Sequence, residues 1–150
     1  MTSADHPVPQ GHAILLAAGL GRRLGAGANK GFVQVHGRPL LSWSLETFAK
    51  HPSIGEIVVV VAPGNEARDR CMAEALAPLG LHDRVILVEG GERRQDSSLH
   101  GIDALPSRLR DDPETVVLIH DAARPLVSAF LITRCLRTLA ENPDAAGVLP

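Results

Sequence analysis

Short runs of branched apolar residues alternate along the chain with longer segments in which apolar side chains recur every three or four positions. The runs AILLAA at 13–18, EIVVVVA at 56–62, RVILV at 84–88, TVVLIH at 115–120 and AGVLP at 146–150 predict strands. Segments near 39–50, 66–79, 97–105 and 129–140 predict helices, with Gly, Pro or Asn at nearly every junction. In the first helix Leu41, Leu45 and Phe48 mark the inward stripe, and in the last helix Leu131, Cys135 and Leu139. The strands are apolar throughout instead of alternating, as in a parallel sheet covered on both faces. The pattern βαβαβαβαβ therefore predicts an α/β fold with a doubly wound, mostly parallel sheet and helices on both faces. Ligands of such sheets sit beyond the carboxyl ends of the strands where the winding direction reverses.

Three βα loops carry candidate chemistry. The first, GLGRRLGAGANKG at 19–31, holds five glycines and three cations, Arg22, Arg23 and Lys30. Glycines let the backbone approach a ligand closely, and the cations place charge where a polyphosphate would sit. The same letters also suit a flexible connection with solvated charges. A dinucleotide fingerprint fails, because Leu24 stands where its third glycine is required, and no Gly-Lys-Ser/Thr is present. The second loop, EGGERRQDSSLHGI at 89–102, pairs Gly90 with Gly91 and offers Ser97 or Ser98 as a hydroxyl opening the next helix. The third, HDAARP at 120–125, sets Asp121 and Arg124 on one tight turn. There a carboxylate can meet Mg²⁺ or a substrate hydroxyl and a guanidinium can grip a phosphate, or the two can simply pair. His120 reads as a packed strand-end residue, since attack on a phosphate ester by another phosphate needs no base.

Composition narrows the classes. The 150 residues suit one domain able to bury roughly 70% of its unfolded surface. Fifteen Lys+Arg against 17 Asp+Glu leave a formal charge of −2, without the basic excess that tracks nucleic acid. The longest apolar runs are six residues, against about 18 for a bilayer-spanning helix, so no membrane is expected. The first twelve residues have neither an apolar core nor arginine, and read as a flexible polar tail of a cytoplasmic protein. Cys71 and Cys135 fall on predicted helices as reduced, buried thiols. Trp43 is expected to pack within or beside the first helix.

Ala17, Ala18, Gly19, Gly21, Arg23 and Lys30 resemble the A-A-G-x-G-x-R…K signature of nucleotidyltransferases. Taken with GGERRQDS and HDAARP, the order of motifs is similar to that of the 2-C-methyl-D-erythritol 4-phosphate cytidylyltransferase family, over residues 13–150. The resemblance implies a Rossmann-like domain at 13–150 that binds CTP and a methylerythritol phosphate, with Mg²⁺ held mainly by the triphosphate. It implies catalytic roles for Arg23 and Lys30. Ala17, Ala18, Gly19, Gly21, Gly91, Glu92 and Ser97 would contact CTP. Asp121 and Arg124 would lie near the acceptor, Asp121 also near the metal. A purine would be too large for a slot walled by Ala17, Ala18 and the Gly90–Gly91 backbone. Asn29 and Gly31 flank the lysine where the family usually has Pro and Gln. Its chains also run on beyond the strand that ends here at Pro150, so the sheet is expected to be incomplete at its C-terminal end, and the family's homodimer is expected of a longer chain. A relative acting on ribitol 5-phosphate, or a non-catalytic interaction domain on the same fold, would share most of these letters.

Overall fold

The computed structural model describes residues 7–19 and 29–142. Four parallel strands form its central sheet: β1 (Gly11–Ala17), β4 (Ile54–Val61), β5 (Val85–Glu89) and β6 (Val117–Asp121). Their spatial order is β5-β4-β1-β6. β1 therefore lies inside the sheet, in register with Val59 of β4 through Leu15 and with Asp121 of β6 through Leu16. Leaving β1, the chain winds outward in one direction to β4 and β5, then crosses back to lay β6 on the other flank. The reversal falls between β1 and β6.

Helices cover both faces. α1 (Leu40–Lys50) and α5 (Ala129–Glu141) pack on one side, where Leu41, Leu45, Phe48, Ile132 and Leu136 share a cluster with Ala13, Leu15 and Ala17. α3 (Arg94–Asp103) covers the other face, against Ile14, Val58 and Val60. It lies close enough that a Cβ on Gly101 would stand 2.5 Å from Ile14 Cγ2. Burial on both faces explains the uninterrupted apolar letters of β1 and β4.

Several boundaries differ from the sequence expectation. β1 begins at Gly11, with His12 buried, so the polar tail ends earlier than residue 12; residues 1–6 lie outside the described residues. Ala18 falls just past β1. The expected helix at 66–79 is α2 (Asn65–Arg70), a π-helical stretch at Cys71–Leu76 and a 3₁₀ turn at Ala77–Leu79. A short α4 (Ser107–Arg110) follows α3. A two-stranded hairpin, β2 (Gln34–Val35) and β3 (Arg38–Pro39), turns at His36 and Gly37, both at positive φ, the twist that two-residue hairpins favour. The inward stripe of α5 is Ile132 and Leu136 rather than Leu131, Cys135 and Leu139, and Cys135 is only half-buried. Cys71 is buried, and burial pushes its thiol pKa up to about 12. The expected strand at 146–150 lies outside the described residues. Trp43 is itself a residue of α1, with the Arg38 guanidinium 4.5 Å from the centre of its ring.

Candidate active site

The carboxyl end of β1 carries Ala17, Ala18 and Gly19, and the chain returns to it at Asn29. The Asn29 amide donates to the Ala17 carbonyl, and its Oδ1 accepts from the Gly31 N–H at 3.0 Å. A 3₁₀ turn, Lys30–Phe32, starts from this anchor, with Phe32 buried at its far end. Gly31 lies where a Cβ would meet the Ala17 Cβ at 3.6 Å and the Ala122 Cβ at 3.9 Å. Lys30 is thus set beside the ends of both β1 and β6. It is half-buried, and among the described residues no carboxylate lies within ion-pair distance of its ammonium. Gly21, Arg22 and Arg23 lie outside the described residues.

The loop after β5 closes onto the same end. Gly90 N–H donates to the Val61 carbonyl at 2.8 Å, and a Cβ on Gly90 would stand 2.6 Å from Ala18 Cβ and 2.7 Å from Ser97 Oγ. Only glycine permits that approach. Gly91 N–H donates to Ser97 Oγ at 3.1 Å, and Ser97 is 4% exposed. Ser97 does not open the helix as expected. α3 starts at Arg94 with Arg93 as its cap, and the Asp96 carboxylate accepts from the Arg93 backbone N–H at 3.1 Å. The Arg93 guanidinium bonds that carboxylate too and holds its pKa below the ordinary range. Glu92 is exposed at the rim.

The third loop completes the crevice. Ala122 N–H donates to the Leu16 carbonyl at 3.0 Å, carrying the β1–β6 pairing past Asp121, and Arg124 N–H closes a turn on the Asp121 carbonyl at 3.0 Å. His120 Nε2 lies 2.9 Å from the Arg124 carbonyl. A carbonyl can only accept, so Nε2 carries the proton and donates. The ring leans on Phe48 with centroids 5.4 Å apart, and burial lowers its pKa. This is the packed strand-end residue that the sequence predicts. Asp121 Oδ1 receives Arg94 through Nε at 3.2 Å and Nη2 at 3.1 Å, while Oδ2 lies 3.6 Å from Arg124 Nε. One carboxylate is therefore bracketed by two guanidiniums, one from the start of α3 and one from the turn after β6.

Sequence reasoning missed Arg94 and Asn29. Arg94 could have been found as the second of the two arginines in the GGERRQDS stretch, whereas Asn29 showed only as a residue flanking Lys30. Among the described residues no group of three His, Cys, Asp or Glu could hold a metal ion. A polar cavity of about 450 Å³, lined by Gln10, His12, Glu56 and Arg108 among others, opens at the amino end of the sheet, away from all three loops.

A doubly wound parallel sheet with helices on both faces, and with glycines and cations gathered at its switch point, places the chain in the Rossmann-like α/β class. Within that class the chain belongs to the family described as IspD: 2-C-methyl-D-erythritol 4-phosphate cytidylyltransferase, whose model matches residues 12–150. It is 40% identical over 139 residues to the 2-C-methyl-D-erythritol 4-phosphate cytidylyltransferase of Gloeobacter violaceus, covering 93% of this chain and 56% of that relative. It is 45% identical over 142 residues to the bifunctional enzyme IspD/IspF of Solidesulfovibrio magneticus, covering 88% of this chain and 33% of that one. Among solved structures, 4-diphosphocytidyl-2C-methyl-D-erythritol synthase from Anaerococcus prevotii superposes with a TM-score of 0.65 at 27% identity, over 89% of this chain and 52% of the other. The chain thus spans about half the length of the single-enzyme relatives it matches.

Proposed function

We propose that the crevice binds CTP and belongs to an enzyme that transfers CMP to 2-C-methyl-D-erythritol 4-phosphate, releasing pyrophosphate. The observation that carries this reading is the convergence of three loops, in which Gly90 abuts Ala18 and Ser97 while Lys30 and Asp121 flank the ends of β1 and β6. In this reading an oxygen of the acceptor phosphate attacks the α-phosphorus of CTP. A new P–O bond forms as the bond to the bridging oxygen breaks, and pyrophosphate takes the electron pair. Lys30 and Arg23 neutralise the charge that builds on the phosphate oxygens, which needs positioning and fixed charge but no covalent intermediate. Ala17, Ala18, Gly19, Gly21, Gly91, Glu92 and Ser97 hold the nucleotide, and Asp121 with Arg124 faces the acceptor.

The donor set fits a metal that arrives with the triphosphate: Asp121 offers one carboxylate, shared here with the Arg94 and Arg124 guanidiniums, and Mg²⁺ commonly takes one or two protein carboxylates together with substrate phosphates, which would supply the remaining ligands. When bound, Mg²⁺ would offset triphosphate charge. The same proposal takes residues 13–150 as the nucleotide-binding part of one domain preceded by a polar tail. It includes a cytoplasmic homodimer. Supporting it, both cysteines are free thiols, β6 has a strand neighbour on one side only among the described residues, and Leu126 and Phe130 are 93% and 71% exposed.

The test is ligand-dependent melting followed by turnover. With Mg²⁺ present, CTP at about 100 times its Kd contributes roughly 2.7 kcal/mol and should raise Tm by about 5 °C or more, with ATP and NAD doing far less. Pyrophosphate release should require a methylerythritol phosphate, and Lys30→Ala should lower kcat about 10²- to 10³-fold. Equal shifts from all three nucleotides would overturn the reading, ribitol 5-phosphate as the better acceptor would reassign the alcohol, and a turnover that Lys30→Ala leaves unchanged would remove Lys30 from the catalytic machinery.

A further inference from the structure

Lys30 is the half-buried cation of the crevice, and the position of its ammonium depends on a turn only three residues long. Such a turn has two internal backbone bonds, Phe32 N–H to the Asn29 carbonyl at 3.1 Å and Val33 N–H to the Lys30 carbonyl at 3.2 Å. Neither ties it to the sheet. Its far end is tied by Phe32, which is buried against the α1 side of the core and overlaid by Arg70 at 4.8 Å. Its near end is tied by one side chain. The Asn29 amide donates from Nδ2 to the last carbonyl of β1, Ala17, and accepts at Oδ1 from the Gly31 N–H at 3.0 Å. One partner can only accept and the other only donate, so the amide has a single satisfied orientation. Few residue types offer a donor and an acceptor on so short a stem.

We infer that Asn29 is a positioning residue, a two-ended clip that fixes the Lys30 turn to the end of β1 and so sets where the Lys30 ammonium meets a bound phosphate. This rests on the catalytic role proposed for Lys30. Without the clip, Gly31 loses its acceptor, and because glycine leaves empty the space in which a Cβ would just touch Ala17 Cβ at 3.6 Å and Ala122 Cβ at 3.9 Å, the turn has about a methyl group's width in which to shift. A displacement of about 1 Å at a charge-stabilising group can cost on the order of 100-fold in rate. Because the slot for the base is built from other loops, nucleotide affinity should change much less than turnover.

The experiment compares the wild-type full chain with Asn29→Ala and Asn29→Ser by two readouts. Amide hydrogen exchange at Gly31 reads the clip without any substrate; steady-state kinetics with CTP and methylerythritol phosphate read its consequence. Asn29→Ala should speed Gly31 exchange about tenfold or more and lower kcat by roughly 10- to 100-fold while KM for CTP stays within about threefold. Asn29→Ser, whose hydroxyl still accepts from the Gly31 N–H, should recover that protection and part of kcat. Unchanged Gly31 exchange in Asn29→Ala would overturn the clip. An unchanged kcat, or one falling in step with CTP affinity, would overturn the positioning role. A wild-type chain whose Tm does not respond to CTP would instead refute the reading of the site, leaving the exchange measurement to decide the clip.

Discussion

Gly90 has no room for a side chain. A methyl there would overlap Ala18 Cβ at 2.6 Å and Ser97 Oγ at 2.7 Å, and neither neighbour is the free end of a flexible chain. Gly90→Ala should therefore cost about 1–3 kcal/mol in urea unfolding and, by pushing the Ala18 and Ser97 walls apart, abolish the thermal shift given by CTP. A variant of wild-type stability that still responds to CTP would show that the slot is looser than this geometry. The glycine pair was legible in the letters, because adjacent glycines before a helical pattern signal close approach. Arg94 and Asn29 were not read as site residues. Their partners, Asp121 and Ala17, lie 27 and 12 positions away, and nothing in a linear pattern says which distant group a polar side chain will meet.

At the scale of elements, the apolar letters of β1 and β4 and the α1 stripe of Leu41, Leu45 and Phe48 are buried as the pattern required, since burial on both faces leaves little freedom of choice, whereas the flanking strands β5 and β6 are only half-buried and Ile119 is exposed. α5 is the instructive departure. Its apolar letters support two adjacent stripes, about 100° apart on the helix. The one containing Leu136 faces the sheet because Gly11 leaves a gap there, a Cβ at that position lying only 2.4 Å from Leu136 Cδ2. Leu136→Ala should cost about 2–5 kcal/mol of unfolding free energy and Leu139→Ala clearly less, a ranking checked by parallel urea titrations. The stretch after α2 follows the same logic. A π turn brings Cys71, Ala75 and Leu76 all inward, a spacing of four and five that a regular helix cannot keep on one face, and a search for 3.6-residue periodicity does not register it. The β2–β3 hairpin escaped notice because two residues per strand carry no period.

For the whole molecule, three histidines set the response to acid. Burial is the largest influence on His12, His51 and His120, and it lowers each pKa below the ordinary imidazole value of about 6.5. The unfolded chain therefore takes up protons at a higher pH than the native one. Their contribution to stability is fully present above about pH 6.5 and is lost as pH falls through the folded-state values. Urea titrations should give a plateau in unfolding free energy near pH 7 to 8 and a decline from about pH 6.5 downward. Stability that rises on acidification to pH 5.5 would contradict the burial of these rings. Global topology was legible as alternation alone; that β6 pairs with β1 rather than continuing outward from β5 is a choice of flank that local letters do not encode.

That choice of flank carries a kinetic consequence. Leu16 and Asp121 face one another across more than a hundred intervening residues, so the β1–β6 seam is the most non-local pairing in the sheet and closes against the largest loop entropy. The crevice lies on this seam. On that account it assembles after β1, β4 and β5 have found each other, and a chain from which β6 has peeled away can keep those three strands while having nowhere to put a phosphate.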